Sequence, residues 1–393
     1  MKRSLVLAAM LCFVCLAVPG EGAAPADPSA LRGIGVNYFD VFARLLKNPD
    51  TTGIETGLDE LARRKIPFFR FMCGAFWPSE WTLYLEDRAE WFRRMDLVFR
   101  AAEARGIGLV PSLCWFSACV PDLVDEPRNQ WGNPESRTIA FMRDYVTEVV
   151  ARYKDSPALW AWELGNEYSL EADLPNAAEH RPWVNVPLGT RPARGPEDEL
   201  THDMIVTACR EFAKAVRVVD PVHPVTTGHS LPRPTAEHFR RGETGQDSPE
   251  ELVKNLLDAT PDPNNLISVH VYPFDQQRRF GQEHTSYEEI LRLCMDAARQ
   301  SGKGLFIGEF GAPDTEKNGG PEAARKEFLA QLAAIEKTGV TLAVLWVYDF
   351  PWQESFVNIS PANHRAWMLD ELEAANARMR EDGPAVDTGS AVK

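Results

Sequence analysis

The stretch "ALWAWELGNEYSL" (residues 158–170) starts as a strand buried on both faces and ends as something else. Leu159, Trp160 and Trp162 supply the apolar run. Glu163, Asn166 and Glu167 then follow within five residues. Continuous apolarity is the mark of a strand in a parallel sheet, where helices or a barrel interior cover each face. In a closed parallel barrel the strand is apolar almost to its end and turns polar where the pocket opens.

Seven more runs of the same kind flank this one. They are residues 33–39, 66–72 and 106–116 before it, and 223–229, 265–272, 304–310 and 341–350 after it. Between them, 90–106, 138–153, 202–219, 287–302 and 322–339 place apolar residues at helical spacing. Eight strands alternating with helices predict the α/β class and a single (β/α)₈ TIM barrel. The longest irregular stretches, 169–198 and 230–248, follow the fourth and fifth strands. They are expected to be long loops on the active-site face.

The N-terminus reads as a secretory signal over residues 1–24: "MKR", then the apolar "SLVLAAMLCFVCLAV", then small residues through Ala24. The barrel is expected over 25–380, with a disordered tail over 381–393. No later segment approaches the about 20 apolar residues that a membrane helix needs. This predicts a secreted or periplasmic protein without stable membrane association once the signal is cleaved. The net charge of −15 and the lack of sizeable Lys/Arg clusters exclude nucleic acid as a partner. Eleven tryptophans suit either a large core or stacking on sugar rings. Five cysteines remain after the signal, an odd number without regular spacing, and this is no disulfide framework. A Cys114–Cys119 bridge, one from Cys73, and buried free thiols all stay open. Eight scattered histidines, with neither HExxH nor Cys-x-x-Cys, support no metal site and no cofactor.

The strand ends carry the chemistry. Arg70 closes the second run, Cys114 and Trp115 the third, and His229 the fifth. His270 and Tyr272 close the sixth, Glu309 the seventh and Trp346 the eighth. Glu167 and Glu309 stand on strands that face each other across a closed barrel. Two opposed carboxylates are what glycosidic cleavage requires, one as proton donor and one as nucleophile.

The motifs "FFRF" (68–71), "WELGNEY" (162–168), "HVYPF" (270–274), "FIGEFG" (306–311) and "LWVYDF" (345–350) come in this order at successive strand ends. In this the chain resembles the cellulase-like glycoside hydrolases of family 5, within the clan of retaining (β/α)₈ glycosidases. The resemblance covers essentially the whole chain after the signal. It implies a retaining glycosidase acting on a β-linked polysaccharide or oligosaccharide, with Glu167 as acid/base and Glu309 as nucleophile. It also implies that Asn166 holds the substrate's 2-hydroxyl and that Arg70 and Tyr272 contact Glu309. His270 would line the site and Trp346 would floor it. The sequence departs from the family pattern at Tyr168, where proline usually follows the acid/base. It departs again at Cys114 and Trp115, where histidine is frequent. Tryptophan there also occurs in mannan-cleaving relatives, so a β-mannanase is the alternative. A non-catalytic carbohydrate-binding barrel is a further one, opposed by the retention of both glutamates.

Among the residues themselves, Glu163 is expected to pair with Arg70 rather than to react. His229 is expected either in the pocket or in a loop. Arg70 should hold Glu309 anionic, and the Glu167 carboxyl should sit high enough to carry a proton. In the 169–198 loop, Trp183 reads equally as a sugar platform and as a loop anchor.

Overall fold

The computed structural model describes residues 31–381. The expected signal segment lies outside the described residues, as does the expected tail except for Glu381. Glu381 itself lies at the end of a helix.

Eight parallel strands form a closed barrel. They are β1 (Gly33–Asn37), β2 (Phe68–Met72), β3 (Gly108–Ser112), β4 (Trp162–Glu163), β5 (Val225–Thr226), β6 (Leu266–Val271), β7 (Gly304–Phe310) and β8 (Leu342–Leu345). Each pairs with the next, and β8 closes on β1 through Gly33–Leu342 and Ile34–Ala343. One long helix follows each strand: α1 (Thr52–Arg63), α2 (Arg88–Glu103), α3 (Arg137–Tyr153), α4 (His202–Val219), α5 (Pro249–Asp258), α6 (Tyr287–Ser301), α7 (Gly320–Thr338) and α8 (Trp367–Glu381). Several start where a hydroxyl can cap exposed backbone N–H groups. Ser136 accepts from Ile139, Thr201 from Met204, and Ser248 from Glu251 in a capping box.

Alternation along the strands sorts side chains into two layers. Phe69, Phe71, Ile267 and Val269 face the helices and join the large outer core. Phe68, Val110, Ala161, Leu266, Phe306, Leu342 and Val344 point inward and plug the barrel's lower end. Trp160 stacks on Phe68 there, with centroids 4.6 Å apart. Burying each of these large apolar side chains stabilises the fold by about 1.5–3 kcal/mol. Moving up the interior two residues at a time, apolar gives way to polar. Phe68 is followed by Arg70, Val110 by Ser112, Ala161 by Glu163, and Leu266 by Ser268 and His270. The plug is the floor of the site.

β7 breaks this alternation. Counting inward from Phe306 and Gly308, Glu309 would turn outward. The register slips by one on both sides: Val269 and His270 of β6 oppose Ile307 and Glu309, while Ala343 and Leu345 of β8 oppose Ile307 and Phe310. β7 thus carries an extra residue, a bulge that re-aims the side chain after it. Asn37 secures the bulge by donating to the carbonyls of Gly308 (3.1 Å) and Leu345 (3.4 Å). Only glycine fits at 308, because a Cβ there would lie 2.7 Å from His270 Nε2.

Candidate active site

Arg70 is the hub of the upper barrel and is fully buried. Its Nε donates to Glu163 (2.7 Å), Nη1 to Asn37 (3.0 Å) and Glu309 Oε1 (3.1 Å), and Nη2 to Asn166 Oδ1 (2.8 Å). The guanidinium lies over the Trp115 ring at 4.4 Å. One planar fork thus orients four side chains that come from β1, β4 and β7 or their ends. Because Asn166 accepts from Arg70, its amide N–H₂ is the end left to donate. Glu163 is fully buried and held by Arg70, as its spacing from Glu167 suggested.

Glu309 is also bound from the other side, by the Tyr272 hydroxyl donating to Oε2 at 2.7 Å. Glu167 Oε1 lies 2.9 Å from His270 Nδ1, and that same nitrogen is 3.6 Å from Glu309 Oε1. Carboxylate oxygens of Glu167 and Glu309 approach within 4.8 Å of each other. Glu167 has a left-handed backbone, φ 56°, and its N–H bonds to the Gly228 carbonyl at 2.8 Å. Gly228 is itself left-handed, and a Cβ there would sit 1.8 Å from the Gly165 carbonyl. The close pass of the β5 end beneath the β4 end is therefore what lifts Glu167 into the cleft.

The electrostatics run against the sequence expectation. Burial raises the Glu309 carboxyl and the Glu167 charge raises it further, beyond what His270, Arg70 and the Tyr272 hydrogen bond recover. Arg70 does not win because it is shared with Glu163. At Glu167 burial also raises the carboxyl. The His270 hydrogen bond and charge, with Arg70, outweigh it, and the net direction is down. Glu167 keeps 30% of its side chain exposed against 6% for Glu309. A sugar lying over Glu167 removes that water and pushes its carboxyl up.

The cleft above is about 650 Å³ and is walled by rings. Trp115, Trp346 and Phe39 pack together at 4.8–6.0 Å, and Phe350 closes on Phe39. Trp346 Nε1 donates to Gln353 at 2.8 Å, which fixes the indole plane. Tyr168, in the usual proline's place, turns away from the cleft. It is buried, with its hydroxyl donating to the Cys114 carbonyl. Cys73, Cys114, Cys119, Cys209 and Cys294 are all free and buried, so the possible Cys114–Cys119 bridge is not formed. Cys119 Sγ instead accepts from Trp81 Nε1.

His229 stands apart from the other candidates and corrects the pocket reading. Gly228 breaks the strand's alternation, and the ring turns to α4, where Nε2 lies 3.4 Å from Cys209 Sγ. Burial lowers its imidazole to about 3 and keeps it neutral. The sequence reading passed over Asn37, Phe39 and Asp275. Asp275 accepts from the Tyr272 N–H at 2.8 Å and from Arg279 at 3.2 Å, and so holds the turn that aims Tyr272. Burial lifts Asp275 to about 6. The signal for Asn37 was a lone amide closing the run "GIGVN".

Among the described residues, two groups place metal-type donors within 4.8 Å of one another: Glu167, His270 and Glu309, and His238, Asp247 and Glu251. In the first, a cation would sit beside the buried Arg70 charge. In the second, Asp247 is occupied by the N–H groups of Glu237 and His238, and Glu251 by that of Ser248. Neither donor set suits a metal.

The family model of cellulase (glycosyl hydrolase family 5) matches residues 32–349. The chain belongs to that family. Within it, the chain is similar to mannan endo-1,4-β-mannosidase F of Aspergillus clavatus, at 25% identity over 291 residues, 72% of this chain and 56% of that protein. It is also similar to mannan endo-1,4-β-mannosidase F of Aspergillus fumigatus, 35% identical over 97 residues, 23% of this chain and 22% of that one. The chain thus spans about half the length, or less, of the curated relatives it matches. Among solved structures, the endo-1,4-β-D-mannanase of Thermotoga petrophila superposes with a TM-score of 0.61 at 14% identity, over 88% of this chain and all of that one. The exo-β-1,4-mannosidase Op5Man5 of Opitutaceae bacterium strain TAV5 gives 0.63 at 18%, over 93% of this chain and 63% of that chain. At these identities the likeness bears on the fold, which is the family 5 barrel.

Proposed function

We propose that this family 5 chain is a secreted retaining β-glycosidase that cleaves β-1,4-linked mannan or manno-oligosaccharides by double displacement. The observation that carries the mechanism is the approach of the Glu167 and Glu309 oxygens within 4.8 Å. Retaining enzymes hold their two carboxyls about 5–5.5 Å apart, and inverting ones about 6.5–9.5 Å. Membership of family 5 and the mannosidase relatives support the reaction class and the sugar. β-Glucan is the second substrate, favoured by the cellulase family model. The basic, apolar and then small-residue pattern of residues 1–24 supports export. Among the described residues no helix is long and apolar enough to cross a membrane.

Glu309 Oε1 or Oε2 attacks the anomeric carbon while Glu167 gives its proton to the departing glycosidic oxygen. The C–O bond to the leaving sugar breaks and an ester to Glu309 forms. That ester removes the Glu309 charge, so Glu167 ionises more readily and takes a proton from water. The water oxygen then displaces Glu309, and the starting configuration returns. Arg70 and Tyr272 hold the attacking carboxylate in line, and the Asn166 amide donates to the 2-hydroxyl. Because the empty site favours a proton on Glu309, substrate must shift it towards Glu167. The desolvation of Glu167 under a bound sugar drives that shift.

Purified protein assayed on β-mannan, β-glucan, xylan and aryl β-glycosides tests the substrate. An activated 2-deoxy-2-fluoro-β-mannoside should leave a covalent adduct on the peptide that contains Glu309, read by mass spectrometry. An adduct elsewhere, or hydrolysis of none of these substrates, overturns the proposal.

A further inference from the structure

A second hollow, about 330 Å³, adjoins the cleft on the Glu167 side. Phe116, Leu170, His180, Arg181, Trp183 and Arg233 line it. Leu170 lines both spaces, and it lies on the turn that starts directly after Glu167. Phe116 stacks on Phe76 of the main cleft at 5.0 Å and 8°, so the two spaces share one wall. A chain whose scissile oxygen rests at Glu167 must send its leaving sugars this way.

The hollow is built rather than left over. Arg233 donates Nε and Nη2 to the Leu170 carbonyl, at 2.9 and 2.6 Å. Among the described residues no carboxylate oxygen lies within 4 Å of it, which leaves Nη1 free to donate. Arg181, by contrast, is held by Glu199. Trp183 is 70% exposed at the rim, which an indole anchoring a loop would not be. Its backbone is nonetheless fixed: Arg194 Nη2 donates to its carbonyl at 3.3 Å while pairing with the buried Asp122 at 2.6 Å. A ring displayed on a secured backbone gives a platform at low entropic cost. Glu171 and Glu179 also line the hollow, so no net charge selects an ionic ligand.

We infer that this hollow is a subsite for a neutral sugar of the leaving group, with Trp183 stacking on its apolar face and Arg233 donating to its hydroxyls. The inference rests on the glycosidase reading above and adds which side of the cleaved bond is recognised, and by what. The chain should therefore cleave oligosaccharides better than glycosides whose leaving group is a small aryl ring.

The test compares wild type, Trp183→Ala and Arg233→Met on β-1,4-mannopentaose, cellopentaose and 4-nitrophenyl β-mannoside. Trp183→Ala should cut kcat/KM on the better pentaose about tenfold, which is ~1.4 kcal/mol. It should leave the aryl glycoside within about twofold and the melting temperature unchanged. Arg233→Met should show the same split more weakly. Equal losses on both substrate types, or no loss, would overturn the subsite while leaving the glycosidase reading intact. A wild type inert on all three would overturn both.

Discussion

The buried hub beneath the cleft and the loop that rims it solve opposite problems. Around Arg70, the side chains of Asn37, Glu163, Asn166 and Glu309 are held from several strands, and Arg70 and Glu163 have no exposure at all. The 169–198 loop has only short single-turn helices, and it displays Trp183, Val184 and Val186 to solvent. The difference shows where rigidity is needed. Positioning a nucleophile and a proton donor tolerates little movement, so it is assigned to strand ends locked by the barrel. Choosing which chain to cleave needs surface area and tolerates replacement, so it is assigned to a loop.

That contrast predicts a graded set of responses. The largest is at the hub. Glu309→Gln should lower kcat by about four orders of magnitude or more, with folding preserved, as loss of a covalent nucleophile does. Steady-state kinetics with a thermal melt would check it, and near-normal turnover would break the account. Next, Glu163→Gln should lower unfolding stability by about 3–5 kcal/mol, because it strips a partner from a buried arginine. Urea titration measures this. A neutral result would mean that Glu309 and Asn37 compensate Arg70 fully.

The sequence made much of this legible, for reasons that also mark its limits. Continuous apolar runs announced all eight strands, since only strands covered on both faces need them. Their ends were less clear. The run 158–164 yields a strand of only Trp162–Glu163, with Leu159 making an isolated bridge to Leu109. α5 went unread although "SPEE" at 248–251 is its capping box. Glu309 was picked out by motif, but plain alternation would have turned it outward, and the β7 bulge is visible only in the register. His229 failed because Gly228 resets the strand's direction. The charge ordering of the two glutamates was beyond reach, since it depends on where His270 Nδ1 sits between them.

A subtler effect follows from that ordering. Reaction needs Glu309 ionised and Glu167 protonated, the minor singly protonated form of the empty site. The alkaline limb of kcat/KM should therefore follow the higher of the two carboxyls, the raised Glu309, which the His270 charge also lowers. In the complex, water is lost from Glu167 and the pKa rises, so the alkaline limb of kcat should lie at higher pH than that of kcat/KM. His270→Asn removes the depressing hydrogen bond and charge, and should move the kcat/KM limb upward. Coincident limbs, or a downward move, would contradict the assignment of His270.

The smallest effect belongs to the loop. Arg194→Met releases the Trp183 carbonyl without touching the hub, and its effect on activity should be small even though loss of the buried Asp122 partner also lowers stability. KM on pentaoses should rise about threefold, with the aryl glycoside unaffected, a change of under 1 kcal/mol. A drop in kcat on the aryl glycoside would mean that loop and hub are coupled, and the contrast would blur.

The central claim is that Glu309 attacks directly while Glu167 handles the proton, and the stereochemistry of the first product tests it most directly. Hydrolysis of an aryl β-mannoside, or of the preferred β-linked substrate, should be followed by proton NMR before mutarotation. The account predicts that the β-anomer appears first and the α-anomer grows in only later. Initial release of the α-anomer would mean inversion, and the two glutamates would then not work as described.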